Sequence, residues 1–298
     1  MDKIKYLSIN SYLKKEYGMK VYKVSLDGGF SCPNRDGKIG FGGCIFCSKG
    51  GSGDFASSRN LSITDQLTEG IERIKSKLPK DERVGYIAYF QAFTNTYAPT
   101  EELSSKFMAA ISYKDVVAIS IATRPDCLGE DVLLLLDEIN KIKPVWIELG
   151  LQTIHERSAK YIRRGYELSV YDKAVSDLKS LGIKVVTHVI LGLPGESRED
   201  MLETVKYVSK TSTFGIKLQL LHVLKDTDLA MDYEKGLFET LEMDQYIDIV
   251  KDCLTVIPTD MTVHRLTGDG DKKILISPLW SGNKKAVLNK LNQYIESL

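Results

Sequence analysis

The sequence has 298 residues, of which 43% are hydrophobic and 27% are charged, and its 40 basic residues balance its 40 acidic residues. This length is sufficient for one large domain or two small ones, and a formal charge of zero excludes a protein that holds nucleic acid through its overall charge. The sequence has no apolar run of twenty residues, and its N-terminus lacks the apolar segment of a signal peptide. We therefore expect a cytoplasmic protein with no membrane association, whose five cysteines do not form a disulfide framework.

A predicted strand at residues 20–26 is followed by a loop in which Cys32, Cys44 and Cys47 form a C-x(11)-C-x(2)-C arrangement. Four glycines lie in this loop: Gly37, Gly40, Gly42 and Gly43. Their backbones can adopt left-handed angles, which would let the loop wrap a compact object and direct amide groups at sulfur. Three thiolates would hold a 4Fe-4S cluster and leave one iron without a protein ligand, which is typical of a reactive metal site.

Two other interpretations of the loop remain open at this point, a zinc site completed by a distant histidine and three unrelated buried thiols. A zinc site usually has a second close pair of ligands, and no histidine lies near the loop in the sequence. Cys127 and Cys253 lie outside the motif and are interpreted as small buried hydrophobic residues, with a radical or covalent role as the alternative.

Helices and apolar strands alternate after the loop. The predicted helices cover residues 61–78, a stretch that opens at Pro99, and residues 129–140, 155–163, 169–181 and 198–209. The predicted strands cover residues 84–90, 116–121, 145–149, 184–191 and 215–222. With residues 20–26 they make six strands in parallel βα units, buried on both faces as in a doubly wound sheet or a barrel. Polar residues at the strand ends favour the barrel.

We predict an α/β protein with a partial (β/α)6 TIM-like barrel and a C-terminal α/β extension. The barrel, with an N-terminal extension and the cysteine loop, covers residues 1–236. Residues 237–298 pack on the barrel and are not independent, because no linker separates them. This extension is predicted to contain a helix at 243–257, a strand at 261–266, a turn at 268–271 and a helix at 284–297. A barrel of six strands leaves a lateral opening, which the extension could line.

The cysteine loop and later motifs resemble the radical S-adenosylmethionine (SAM) superfamily, whose members hold a 4Fe-4S cluster by three cysteines and bind SAM to the fourth iron. The usual superfamily spacing is C-x(3)-C-x(2)-C, and the longer first spacing here resembles the branch containing the radical domain of the Elongator catalytic subunit. The other motifs that carry this resemblance are residues 123–126, 148–152, 163–165 and 192–196. Residues 89–97 and 264–270 further resemble a bacterial family of stand-alone proteins, implicated in remodelling the side chain of the tRNA wobble uridine.

The resemblance implies roles for residues that match the family motifs. Phe46 would pack by the adenine and the cluster, and Gln91 would receive the amino group of SAM in place of the common Gly-Gly-Glu. Glu148 and Gln152 would lie near the methionine and ribose, and Arg164 would pair with the carboxylate. The remaining predicted cofactor-binding residues, which lie at strand ends, are Thr123, Arg124, His188, Ile190, Leu220 and His222. Arg124 and Arg164 could instead be ion pairs at helix ends, and Glu148 could cap a turn.

His264, Arg265 and Asp269 are predicted to be catalytic residues near the mouth of the barrel. Arg265 could hold a carboxylate or phosphate of the substrate, while His264 or Asp269 could transfer a proton. The alternative is an ion-paired turn that closes the fold, since residues 268–271 have ordinary turn chemistry.

The resemblance implies an enzyme that cleaves SAM reductively and removes a hydrogen atom from its substrate, with an external electron donor such as flavodoxin or ferredoxin. We weigh three functions: conversion of carboxymethylaminomethyl-uridine to aminomethyl-uridine in tRNA, radical chemistry on a small metabolite, and a non-enzymatic zinc or redox-sensing protein. A tRNA substrate could bind to lysines near both ends of the sequence, although these lysines could simply be solvated. They are Lys3, Lys5, Lys14, Lys15, Lys20, Lys23, Lys272, Lys273, Lys284, Lys285 and Lys290.

Overall fold

The computed structural model describes residues 6–51, 56–78, 83–268 and 270–296. Within these ranges the strands are β1 (Leu7–Ser8), β2 (Lys20–Leu26), β3 (Val84–Phe90), β4 (Val116–Thr123), β5 (Val145–Gln152), β6 (Lys184–Leu191), β7 (Gly215–Leu220), β8 (Val223–Leu224), β9 (Thr262–Arg265) and β10 (Leu275–Ser277). Eight of these strands form one sheet in the order β1-β9-β7-β6-β5-β4-β3-β2, and all its pairings are parallel. β8 and β10 form a small antiparallel sheet.

This architecture is an eight-stranded parallel half-barrel with a small second sheet, which confirms the predicted fold class. The six predicted barrel strands are β2 to β7. β9, from the C-terminal extension, pairs with the free edge of β7, and β1 pairs with β9. The division of the chain at residues 236 and 237 stays a prediction.

Most of the helices cover the outer face of the sheet and bury its apolar side chains. The helices are α1 (Ile9–Tyr17), α2 (Ile63–Ile74), α3 (Thr100–Ser112), α4 (Glu130–Ile142), α5 (Glu156–Tyr161), α6 (Leu168–Ser180), α7 (Arg198–Lys210), α8 (Asp228–Glu234), α9 (Met243–Val256) and α10 (Lys284–Glu296). Several begin at a side chain that caps free amide groups, as Ser62 does for α2 and Ser197 for α7. In the part of the chain that the structure describes, no helix has the length and apolar character that a membrane span requires.

α1 was not predicted, and it determines the shape of the open side of the barrel. It connects β1 to β2, the two edge strands of the main sheet, so it crosses the gap between the edges. Leu13 of α1 packs with Ile87, Ala118 and Trp146, which come from the inner face of the sheet near the amino ends of the strands. α1 therefore fills the amino end of the barrel interior, and the carboxyl end remains available for a site.

Candidate active site

The cysteine loop follows β2 and lies over the carboxyl ends of the barrel strands. Cys32, Cys44 and Cys47 line one cavity together with residues from the ends of β3 to β7. Left-handed backbone angles occur in the loop at Gly37, Gly42 and Gly43, with φ of 93°, 80° and 91°. These angles favour glycine because a side chain would be strained there. The prediction for Gly40 is wrong, because Gly40 is not among the residues with positive φ.

The thiol of Cys44 lies in a polar but crowded environment. The Asn34 side-chain nitrogen is 3.5 Å from Cys44 Sγ and also donates to the carbonyl oxygen of Arg163 at 2.6 Å. Burial, followed by the charge of Cys47, raises the pKa of the Cys44 thiol to about 12. Three thiolates in this space therefore require positive charge between them, which metal ions would supply.

The predicted inward orientation of loop amides is not the general arrangement. The amides of Gly43, Ile45 and Cys47 donate to the carbonyl oxygens of Asn34, Ile162 and Cys44. These bonds fix the loop, while the Asn34 side chain supplies a donor at sulfur.

The structure brings the predicted cofactor-binding residues to the same end of the barrel. Nine of them line the cysteine cavity: Phe46, Gln91, Thr123, Arg124, Glu148, Gln152, Arg164, His188 and Ile190. Leu220 and His222 line an adjoining cavity, which Phe46, Ile190 and Gln91 also border. His222 lies close to Gly268 and Gly270, where a methyl group on Gly268 would come within 2.3 Å of the imidazole. The glycine turn therefore lets the C-terminal segment approach this cavity.

Two polar groups beside the cavity are buried and lack hydrogen-bond partners among the described residues: Gln152 Oε1 and Arg164 Nη2. Gln152 also has a φ of 70°, an unusual backbone conformation for a residue other than glycine. The other guanidinium nitrogens of Arg164 are engaged, since Nε donates to Tyr166 O at 3.0 Å and Nη1 to Thr153 O at 2.6 Å. Buried polar groups usually have partners, so these two atoms fit a ligand in the cavity.

Arg124 forms an ion pair, which is the alternative to cofactor binding that the sequence left open. Its guanidinium forms two hydrogen bonds to Asp126, at 2.9 and 2.8 Å, and lies over the Tyr166 ring at 5.1 Å from the ring centroid. Thr123 Oγ1 is 2.6 Å from Thr96 Oγ1. Both residues thus shape the wall of the cavity.

Glu148 is the centre of a polar layer in the barrel interior, below the cysteines. Its Oε1 accepts from Lys23 at 2.6 Å and from Ser120 at 2.8 Å, and its Oε2 accepts from Lys217 and from His188 at 2.8 Å. Burial opposes ionisation, but Lys217 and Lys23 hold the pKa of Glu148 well below its usual value. Four donors occupy a carboxylate with about four acceptor sites, so Glu148 has no acceptor site left for a cofactor group. Its place near the methionine and ribose stays a prediction.

His188 is neutral in this layer. Burial and the charge of Lys217 lower its pKa to about 4, although Glu148 acts in the opposite direction. Gln219 Nε2 lies 3.1 Å from His188 Nδ1 and donates to it, which leaves the ring proton on Nε2, facing Glu148.

The predicted catalytic residues separate in the structure. Arg265 lines the cysteine cavity and two others, the one bordered by His222 and a lateral one beside α1. His264 instead lies deeper, with its ring 5.7 Å from Trp146 and 5.9 Å from Phe214 between centroids, and it does not line the cysteine cavity. Asp269 lies outside the described residues. The structure therefore leaves Arg265 as the candidate that reaches the site.

Comparison with known protein families identifies the chain. The sequence model of the Radical SAM superfamily matches residues 34–208, and the model of the Radical SAM C-terminal domain matches residues 213–297. The chain belongs to the radical SAM superfamily. It is a radical SAM enzyme, with a 4Fe-4S cluster and SAM as cofactors, and the hypothesis of a non-enzymatic zinc or redox-sensing protein is therefore wrong.

Individual relatives are consistent with the Elongator-like branch of the radical SAM superfamily. The chain is 49% identical over 294 residues to the uncharacterized protein YtqA of Bacillus subtilis, covering 98% of this chain and 90% of YtqA. It is 26% identical over 178 residues to the tRNA uridine(34) acetyltransferase of Methanocaldococcus jannaschii, covering 59% of this chain and 32% of that protein. The solved structure of Methanocaldococcus infernus Elp3 superposes with a TM-score of 0.69 at 19% identity, covering 92% of this chain and 63% of that one. That structural likeness concerns the fold alone.

The radical SAM cavity also contains residues that the sequence did not suggest. Tyr89, Lys217 and Gln219 line it from β3 and β7, and Arg35 lines it from the cysteine loop. A signal for Lys217 existed, because it is a single lysine inside the otherwise largely apolar strand β7. Lys23 was assigned to a surface patch, which is wrong, because its ammonium group faces Glu148 in the barrel interior.

Proposed function

We propose that this radical SAM enzyme modifies tRNA by converting the carboxymethylaminomethyl group of the wobble uridine into an aminomethyl group. The observation that carries the proposal is the similarity to the tRNA uridine(34) acetyltransferase of M. jannaschii, whose name assigns it to uridine 34, the wobble position. The match covers 32% of that protein, so its acetyl transfer is not carried over to this chain. What is carried over is the class of substrate.

In this proposal Cys32, Cys44 and Cys47 hold the cluster. The residues proposed to surround SAM are Phe46, Gln91, Thr123, Arg124, Gln152, Arg164, Ile190, Leu220 and His222. Arg164 Nη2 and Gln152 Oε1 would bind polar atoms of SAM, because both are buried without a hydrogen-bond partner among the described residues. The ion pair of Arg164 Nη2 with Glu156 is long, at 3.9 Å. Phe46 and Ile190 would exclude water from the reacting atoms.

When bound, the cluster and SAM supply a 5'-deoxyadenosyl radical that removes a hydrogen atom from a substrate carbon. The residues of this chain must then hold the carbon next to the side-chain nitrogen of the uridine at the cavity. Abstraction at the carboxymethyl carbon, followed by loss of a second electron to the oxidised cluster and of a proton, would give an imine. Water would hydrolyse this imine, which would release the two carbons of the carboxymethyl group as an oxo acid and leave the aminomethyl group on the uridine. Enzymes of this superfamily need a reductant, and we propose flavodoxin or ferredoxin as the donor.

A basic surface near the C-terminus supports a tRNA substrate. Lys272, Lys273, Lys284 and Lys285 line one cavity of about 750 Å³ together with the start of α10. Lysines in such a group could contact several phosphates of a nucleic acid backbone. We call these four residues the C-terminal lysine surface.

The proposal is tested by analysing modified nucleosides. Transfer RNA from cells that lack this protein should accumulate carboxymethylaminomethyl-uridine at the wobble position and lose nucleosides derived from aminomethyl-uridine. Purified anaerobic enzyme with SAM and a reductant should then convert that tRNA. An unchanged nucleoside profile, with no conversion in vitro, would exclude the proposed reaction, and turnover of a free metabolite would assign a small-molecule substrate instead.

A further inference from the structure

The polar layer around Glu148 brings three cationic side chains together inside the barrel. Lys217 and Arg265 are paired neighbours on β7 and β9, and Lys23 reaches the same carboxylate from β2. The ring of Tyr89 lies between the two lysines, with its centroid 4.8 Å from Lys23 Nζ and 4.6 Å from Lys217 Nζ. The layer therefore joins strands from both sides of the lateral opening.

This layer carries more positive than negative charge among the residues that the structure describes. Two ammonium groups share the single carboxylate of Glu148, and Arg265 lies beside Lys217 on the neighbouring strand. His188 and Tyr89 are neutral because burial lowers the pKa of the first and raises that of the second. Burial also lowers the pKa of Lys217 to about 7, and the like charges of Lys23 and Arg265 add to that effect. Excess buried charge is costly to a fold unless it serves a ligand of opposite charge.

The ammonium groups retain donors for such a ligand. Each has three N–H groups. Within the described part of the chain, Lys23 uses one of them on Glu148, and Lys217 uses two, on Glu148 and on Tyr89 at 3.2 Å. Three N–H groups of the two lysines thus remain in this layer.

The layer is also accessible. A lateral cavity of about 380 Å³ opens beside α1 and is lined by Lys23, Lys217 and Arg265. Tyr89, Gln91, Lys217 and Arg265 line both this cavity and the cysteine cavity. A ligand can therefore contact the cations while another part of it reaches the cofactors.

We propose that Lys23, Lys217 and Arg265 form a subsite that binds a carboxylate of the substrate in the barrel interior, beneath the cofactors. The inference rests on the proposed function, because the carboxymethylaminomethyl group ends in a carboxylate. Binding that carboxylate here would direct the adjoining carbon and nitrogen toward the cysteine cavity. A phosphate group has related chemistry and is distinguished by the experiment.

The test measures binding of a small probe that needs no tRNA. N-benzylglycine contains an aromatic ring, a methylene, a secondary amine and a carboxylate in the proposed order, and N-benzylglycinamide replaces that carboxylate by an uncharged carboxamide. Calorimetry at pH 6.5, on the anaerobic enzyme loaded with cluster and SAM, should show at least about tenfold tighter binding of the acid than of the amide. Arg265→Gln and Lys23→Met should each weaken acid binding by about tenfold or more.

Lys184→Met is the matched control. Lys184 lies lower in the same barrel, where it donates to Tyr12, so its loss removes the same charge without touching the subsite. This variant should bind the acid as the unaltered enzyme does. Iron content and melting temperature identify any variant that fails to fold. If one of the two subsite variants fails to fold, the other is sufficient for the test.

Several outcomes would overturn the subsite. The first is that the acid and the amide bind equally well, and the second is that Lys184→Met weakens acid binding as much as the subsite variants do. The third is that both subsite variants bind the acid as the unaltered enzyme does, and the fourth is that they lose SAM binding instead of probe binding. Competition by inorganic phosphate at lower concentration than the acid would assign the cations to a phosphate instead. Acid-selective binding without any tRNA product would retain the subsite while rejecting the wobble-uridine proposal.

Discussion

At the level of single residues, the thiol of Cys44 allows a direct test of the cluster assignment. Cys44→Ala should eliminate iron binding and SAM cleavage, because the cluster needs all three thiolates, whereas the unaltered enzyme should carry about four irons per chain. Cys127→Ala is the control, since Cys127 is a half-buried thiol outside the motif. Iron analysis and the yield of 5'-deoxyadenosine provide the two measurements. Full iron content in the Cys44 variant would contradict the assignment.

Lys217 predicts how binding of the carboxylate probe depends on pH. Its pKa is lowered from 10.5 to about 7 by burial and by Lys23 and Arg265, so it loses its charge as the pH rises above about 7. A bound carboxylate favours the charged form, and the affinity for N-benzylglycine should therefore fall as the pH rises from 6.5 to 8.5. Because one proton is involved, the loss should not exceed about tenfold per pH unit.

The control for this prediction is Lys217→Met, which should bind the probe weakly and without the same pH dependence. The other charged or titratable groups around Lys217 are Lys23, Tyr89, Glu148, His188, His264 and Arg265, and burial holds the pKa of His264 well below its usual value. Of these, His188 has a pKa of about 4 and does not titrate in this range. Affinity that rises between pH 6.5 and 8.5 would show that Lys217 does not supply the charge.

At the level of elements, α1 should contribute to stability by closing the amino end of the barrel. Leu13 is 4% exposed and packs with Ile87, Ala118 and Trp146. Leu13→Ala should cost about 2–5 kcal/mol, because it removes buried methyl groups and leaves a cavity. Leu134→Ala on α4 is a matched control, since Leu134 is 67% exposed. Thermal melting should show a clear decrease for the first variant and almost none for the second.

The central strands of the sheet could be predicted from the sequence, whereas several short elements could not. β3 to β7 are buried on both faces, so they occur as nearly continuous apolar runs such as Val84–Phe90 and could be recognised without tertiary information. α1 and α8 are short, with nine and seven residues, and β1 is only two residues long. Such elements form because of what they pack against, and local pattern does not reveal them.

The same distinction applies to the site. The order of motifs predicted which residues reach the carboxyl end of the barrel, because the end of each parallel strand meets the same edge. The order of motifs did not predict that the carboxylate of Glu148 would form ion pairs with Lys23 and Lys217, because both lysines are far from Glu148 in the sequence. Nor did it separate His264 from Arg265. Their strand has a register shift opposite Ile216 and Lys217, which alters the alternation of its side chains.

At the level of the whole molecule, a tRNA substrate should bind mainly to the C-terminal lysine surface. Lys14 and Lys15 lie at the end of α1, which closes the amino end of the barrel, whereas Lys284 and Lys285 border a cavity near the glycine turn. Lys284→Glu with Lys285→Glu should weaken tRNA binding and reduce its salt dependence, because each phosphate contact contributes about 0.7–0.9 to the log–log slope. Lys14→Glu with Lys15→Glu should have little effect.

Filter binding at two salt concentrations measures this difference. A flat salt dependence of the unaltered enzyme would argue for a small substrate in place of tRNA. Equal losses in the two double variants would mean that the lysines act through overall charge and not through a defined surface.

The pairing of β1 with β9 has a consequence for the order in which the molecule assembles. Leu7 lies beside Thr262, so strands from opposite ends of the sequence complete the sheet. During synthesis on the ribosome, the β2 to β7 units can form from contacts close in sequence, whereas β1 must wait until β9 has emerged. Arg265 arrives with β9, so the carboxylate subsite is the last part of the barrel interior to form. We expect nascent chains arrested before β9 to expose the unfilled edge of β7 to chaperones.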